Sequence, residues 1–173
     1  VFMKSKNEDI ALLVMGDVYS ATTHYDVYLR ARKKNIAVKV INGVSILTAV
    51  GITGLSLYNF GKIISITFGG VKSPYEKYLV NKKNGFHTLF LLDLDTENKK
   101  FLAIKEACRY LIDNGEDENT LVVGCARLGF KNFKIKKGSL KSLQRESFGK
   151  EPYCLILPGK MHFLEEEALE TWK

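Results

Sequence analysis

Unbroken apolar runs of strand length recur along this chain, and each stops at a turn signal or a charge. The first covers residues 10–15 and closes on Gly16-Asp17; a continuous run of this kind is what a strand buried on both faces requires. The period then changes. Tyr25, Leu29 and Ile36 stand among charges, which predicts a helix over about 21–34, with Thr22 or Thr23 as N-cap and Asn35 as its stop. Residues 36–41 read as the next strand, closed by the turn pair Asn42-Gly43. Ser45 then caps a helix carrying Ile46, Ala49, Val50 and Leu57, with Gly51 and Gly54 in its interior. An interior glycine costs about 1 kcal/mol relative to alanine, so close backbone packing on that face is the expected compensation.

Asn59-Phe60-Gly61-Lys62 reads as a connector. Past it, residues 63–68 have strand composition, and Pro74 opens a helix to about residue 83 with Ser73 as its cap. Residues 87–92 form a buried strand stopped by Asp93-Leu94-Asp95. Leu102, Ala103, Ala107, Tyr110 and Leu111 fall at helical spacing and predict a helix over about 99–113. Strands are expected at 120–125 and 153–157, a helical turn at 138–144, and a closing helix at 161–172. Residues 1–9 are polar and charged and are expected to finish an element begun upstream. The alternation of strands and helices predicts an α/β fold with parallel and mixed sheets. Two domains are expected: residues 1–60 as the remainder of a Rossmann-like domain, and residues 61–173 as a mixed α/β domain, with a cleft between them.

The 173 residues, 46% of them apolar, suffice to bury a core. No window approaches the ~18 uncharged apolar residues of a membrane span, and the first residues lack the apolar stretch of a signal peptide, so a soluble, cytoplasmic protein is expected. Cys108, Cys125 and Cys154 are odd in number and widely spaced, two of them inside apolar runs; buried small hydrophobes in a reducing compartment explain them. His24, His87 and His162 have no ligand-like spacing, so no metal site is expected. The net charge of +7 raises the question of nucleic acid. The lysines are spread along the chain, however, and the one dense run, residues 131–137, reads as a solvated loop or edge strand in preference to a docking patch for a protein or RNA.

One stretch carries more specific information. Gly16-Asp17-x-x-Ser20-Ala21-Thr22-Thr23-His24, followed by Ser45-Ile46-x-x-Ala49-Val50-Gly51-x-x-Gly54-Leu55 and then Tyr58-x-Phe60-Gly61, resembles the diphthine synthases, methyltransferases of the tetrapyrrole-methylase-like class. Gly85-Phe86-His87-Thr88-Leu89 with Leu92-Asp93, Ala126-Arg127-x-Gly129, and Pro158-Gly159-x-x-His162-x-x-Glu165 agree in order. The resemblance implies a two-domain fold with a cofactor cleft, S-adenosylmethionine as methyl donor, translation elongation factor 2 as protein substrate, and a homodimer. Carried over by position, it implies cofactor contacts at Asp17, Ser20, Ser45, Ile46, Leu92, Leu128 and Tyr153, several of them through backbone atoms. It also implies that the family's opening strand and Gly-rich turn have no counterpart in this sequence. Val18 stands where the family usually has Pro.

Each of these residues has a plainer role available. Asp17, Ser20 and Ser45 are ordinary helix caps, Ile46 and Leu92 ordinary core, Tyr153 a strand aromatic. Methyl transfer depends on positioning and exclusion of water more than on a strong base, so no catalytic base is assigned, and a histidine beside a strand is more often structural. Arg127 could pair with a carboxylate of substrate or donor, or with one inside the protein. The rival functions are methylation of a tetrapyrrole or ribosomal RNA by the same class of enzyme, and a non-catalytic basic module binding nucleic acid.

Overall fold

The computed structural model describes residues 8–95 and 97–172. The chain divides into two compact units, Val1–Ala49 and Val50–Lys173. The charged opening stretch expected to finish an upstream element lies outside the described residues through residue 7.

In the first unit the helix α1 (Tyr25–Lys33) is flanked by turns and segments without regular secondary structure. Asn35, at φ 54°, ends it as expected, but its N-cap position is His24 and not Thr22 or Thr23. The strands expected at 10–15 and 36–41 are not formed among the described residues: neither segment joins a ladder. A strand exists through its hydrogen-bonded neighbour, and a parallel one needs covered faces. Here the apolar runs stay open, with Leu13 90% and Met15 83% exposed. The unit closes with α2 (Ile46–Ala49), capped by Ser45 as predicted.

The long glycine-bearing helix after Ser45 is not present as one element. The chain passes into a 3-10 turn over Val50–Thr53, breaks at Gly54, and makes a second 3-10 turn over Leu57–Asn59. Gly54 is therefore a terminator, at φ +90°, and not a tolerated interior glycine. A Cβ at this position would also collide with the Ala168 methyl. Gly54→Ala is expected to cost about 2 kcal/mol or more, from left-handed backbone and overpacking together, read as a lower midpoint in chemical denaturation.

The second unit is a mixed five-stranded sheet in the order β1-β2-β7-β5-β6, built from β1 (Ile64–Ile66), β2 (Thr88–Leu92), β5 (Leu121–Ala126), β6 (Lys134–Ser139) and β7 (Tyr153–Leu157). β1 and β2 are parallel, joined by the crossover helix α3 (Ser73–Lys83); every other pairing is antiparallel. A short hairpin, β3 (Leu94–Asp95) with β4 (Lys100–Phe101), occupies part of the stretch expected as helix, so α4 starts only at Ile104 and runs to Asp113. Two short helices, α5 (Leu140–Leu143) and α6 (Phe163–Leu169), complete the unit. The expected connector at 59–62 is tied to the sheet: Asn59 O accepts from His87 N and Gly61 N donates to His87 O, both at 2.9 Å.

Strand alternation sorts the core. Ile64, Ile66, Phe90, Leu92, Val122, Ala126, Leu155 and Leu157 share one cluster with Tyr75 and Tyr78 of α3, Ile104, Ala107, Cys108 and Leu111 of α4, and Leu140 and Leu143 of α5. The alternate positions Leu89, Val123, Cys125, Cys154 and Ile156 are buried too, so both faces are covered. The three cysteines are free and buried; burial pushes the Cys108 thiol up to about 12, which leaves it unreactive. No helix among the described residues is long and apolar enough to cross a membrane.

The lysine run forms the edge strand β6, one of the two readings the sequence offered. Two of its charges are paired locally, Lys136 with Glu146 and Lys137 with Glu170, and Lys134 donates to the Ser147 carbonyl.

Candidate functional site

A short turn follows the first apolar run. Gly16 adopts φ +84°, and a side chain on Gly43 would strike the Gly16 carbonyl. These two glycines let the turn at 16–20 lie against the segment that leads into Ser45. Within the turn, one oxygen of Asp17 accepts from Tyr19 N at 3.0 Å, Ser20 N at 3.0 Å and Ser20 Oγ at 2.9 Å. The N–H groups of Tyr19 and Ser20 and the Ser20 hydroxyl, with the Gly43 N–H, hold the Asp17 carboxyl below its usual range. Asp17 thus does not cap α1, which begins only at Tyr25. Ser45 is buried, and its Oγ accepts from Leu47 N at 3.0 Å, a true N-cap contact that also fixes Ile46 as the first helical residue. Ala21, at φ 57°, is a strained non-glycine in the same stretch, and His24 Nδ1 is buried without a hydrogen-bond partner among the described residues.

The second unit gathers the other predicted residues along one sheet edge. β2 runs out at Leu92, level with Ile66 of β1. Leu91 pairs with Cys154, so the next step brings Leu92 beside Tyr153, and Tyr153 pairs with Ala126 at the end of β5. Leu128 follows one residue beyond Arg127 in the loop leaving that strand, half-buried. Asp93, which the sequence showed only as a strand stop, pins this edge: its Oδ2 accepts from Phe68 N at 3.3 Å and its Oδ1 from Leu94 N at 3.0 Å. Its backbone N–H donates to Ile66 O at 3.0 Å, and its C=O accepts from Leu102 N at 2.9 Å. Of the predicted contacts, then, Asp17, Ser20, Ser45 and Ile46 fall within the first unit, and Leu92, Leu128 and Tyr153 share an edge of the second.

His87 and His162 belong to a different construction. His87 is fully buried at the opposite end of β2, about 15 Å of strand away from Leu92. Its Nδ1 accepts from Gly159 N at 2.8 Å, which assigns the proton to Nε2, and Nε2 donates to Glu165 Oε1 at 3.0 Å. Glu165 is itself buried and also accepts from Ser56 N and His162 N, each at 2.7 Å. Burial alone would raise the Glu165 carboxyl, but the His162 and Ser56 N–H groups and the His87 ring outweigh it and leave the group below its usual range. Pro158-Gly159 passes so close to Gly85 and Phe86 that no side chain fits on Gly159, and Lys160 N donates to Gly85 O at 2.8 Å. The motif residues Phe86-His87-Thr88 and Pro158-Gly159-x-x-His162-x-x-Glu165 therefore form a structural strut. With both ring nitrogens committed, His87 is excluded as a general base.

Residues 3–144 match the family model of the tetrapyrrole (corrin/porphyrin) methylases. Among curated proteins, the diphthine synthase of Methanocaldococcus jannaschii is 41% identical over 180 residues, and that of Methanococcus maripaludis 40% over 178; each match covers 96% of this chain and 70% of the relative. The crystal structure of an Entamoeba histolytica protein superposes with a TM-score of 0.91 at 38% identity, covering 97% of this chain and 72% of that one. A crystal structure of diphthine synthase gives 0.88 at 32% identity, covering 99% and 68%.

Proposed function

Because this chain belongs to the tetrapyrrole methylase family, in its diphthine synthase branch, we propose that it methylates a modified histidine of translation elongation factor 2 in diphthamide biosynthesis. The acceptor is the amino group of a 3-amino-3-carboxypropyl side chain. S-adenosylmethionine, when bound, supplies a methyl group activated by a sulfonium charge. The protein acts in the cytoplasm as a homodimer. The observation that carries this reading is the likeness to diphthine synthases along nearly the whole chain.

The residues fit such a donor. Asp17, kept ionised by the N–H groups and hydroxyl around it, is an acceptor suited to ribose hydroxyls, and Ser20 and Ser45 fix the turn and helix start on either side of it. Ile46 adds a backbone group beside them, and in the second unit Leu92, Leu128 and Tyr153 offer backbone groups and apolar surface at one end of the sheet, suited to the exclusion of water that methyl transfer requires. No residue is asked to act as a strong base. The chain's contribution is to hold donor and amine in line, a gain that orientation alone can supply.

The test is a methyl-transfer assay with the full-length protein, labelled S-adenosylmethionine and elongation factor 2 carrying the unmethylated intermediate. Label incorporated at that one residue is the expected result. Donor binding without transfer to the factor would overturn the substrate, and transfer to a tetrapyrrole or to ribosomal RNA would replace it.

A further inference from the structure

Arg127 places a positive charge at the sheet edge shared by Leu92, Tyr153 and the loop of Leu128, and among the described residues none of its hydrogen bonds or ring contacts is to a carboxylate. Its Nε donates to Asn132 Oδ1 at 3.0 Å, and Nη1 to the Glu151 carbonyl at 3.2 Å. The guanidinium carbon lies 4.3 Å from the centroid of the Phe130 ring. These neutral partners orient the guanidinium without compensating its charge. A guanidinium has five N–H donors in a fixed fork, so two contacts leave most of the fork unspent.

The backbone beneath is held as firmly. Arg127 sits at φ 56°, a left-handed conformation that is strained for a non-glycine residue. Its N–H donates to Pro152 O at 2.8 Å, and its C=O accepts from Phe130 N at 3.0 Å. Strain kept at one residue, together with side-chain contacts to both flanking loops, is how a protein presets the direction of a charged group. A rigid, uncompensated fork is suited above all to a carboxylate, which it can take through two parallel hydrogen bonds.

We propose that Arg127 binds a carboxylate of the reacting pair, an assignment that rests on the methyltransferase function argued above. Two carboxylates are available: that of the donor's methionyl end and that of the 3-amino-3-carboxypropyl acceptor. The test compares wild type with Arg127→Gln and Arg127→Lys in the full-length protein. Affinities are titrated for S-adenosylhomocysteine and for 5′-methylthioadenosine, which lacks the amino-acid end, and the KM for the factor is measured. If the carboxylate is the donor's, Arg127→Gln weakens S-adenosylhomocysteine about tenfold or more and leaves methylthioadenosine unchanged. If it is the acceptor's, both nucleosides bind as in wild type and the KM for the factor rises by a similar factor. Arg127→Lys, which keeps the charge and loses the fork, falls between wild type and Arg127→Gln. Equal values for all three ligands in wild type and Arg127→Gln would overturn the assignment, as would parallel weakening of both nucleosides, the mark of a collapsed loop. A wild-type protein that binds neither nucleoside defeats the methyltransferase function itself, and the Arg127 assignment with it.

Discussion

Asp17→Ala weakens binding of S-adenosylhomocysteine by about one to two orders of magnitude, the range for a lost hydrogen bond to a charged group, while leaving the fold in place. The carboxylate lies in a local turn, and among the described residues its hydrogen bonds are to that turn and to the Gly43 N–H, so the second unit's core does not depend on it. Asp17→Asn separates the two contributions: it keeps an acceptor for Tyr19 N and Ser20 N and removes the charge. Affinity for Asp17→Asn is expected between wild type and Asp17→Ala in a calorimetric titration. Unchanged affinity in both variants would reduce Asp17 to the role of a turn former.

Glu165→Ala has the largest effect on stability. It strands the buried Nε2–H of His87 and the part-buried N–H groups of Ser56 and His162, and such a loss costs about 3 kcal/mol or more. In a protein of this length that lowers the melting temperature by about 10 °C. Glu165→Gln does not rescue it, because all three neighbours are donors and the amide turns an NH2 toward one of them. The same carboxylate sets an acid limit. Its folded-state pKa lies below the unfolded value, so the folded state binds fewer protons and stability falls as pH drops. The contribution is complete above about pH 4.3 and is lost as pH falls through the lower, folded value. Wild type therefore loses stability on acidification below that point more steeply than Glu165→Ala, as parallel denaturant titrations would read.

What the sequence revealed and what it hid have physical causes. The second unit was legible because its strands are dense apolar runs closed by strong punctuation: residues 153–157 before Pro158-Gly159, and residues 87–92 before Asp93. The pairing of Leu94–Asp95 with Lys100–Phe101 was missed because two-residue strands leave no periodic trace, and Lys100-Phe101 reads equally well as the first turn of α4. The helix drawn through Gly51 and Gly54 failed for a related reason: the apolar positions kept helical spacing while Gly54 had already left the helical region. In the first unit the strand signal was present and no ladder formed, since a run of apolar residues fixes a tendency and only a neighbour fixes a strand.

The candidate site was legible unevenly. Motif order picked out the Asp17 turn, the Ser45 start and the edge of Leu92, Leu128 and Tyr153. It did not reveal that His87 and His162 brace the far end of the sheet, because a motif residue in a strut and one in a site look alike in sequence. The pinning role of Asp93 and the strained backbone of Arg127 are three-dimensional properties, and no residue pattern carries them.

The account turns on where the nucleoside sits. Hydrogen exchange of the full-length protein, followed by mass spectrometry with and without S-adenosylhomocysteine, reads that directly. Slower exchange is predicted in peptides covering residues 16–20, 43–47, 92–94 and 126–129, with residues 131–137 and 159–166 unaffected. Protection confined to those last two stretches, or no change anywhere at saturating nucleoside, would contradict it.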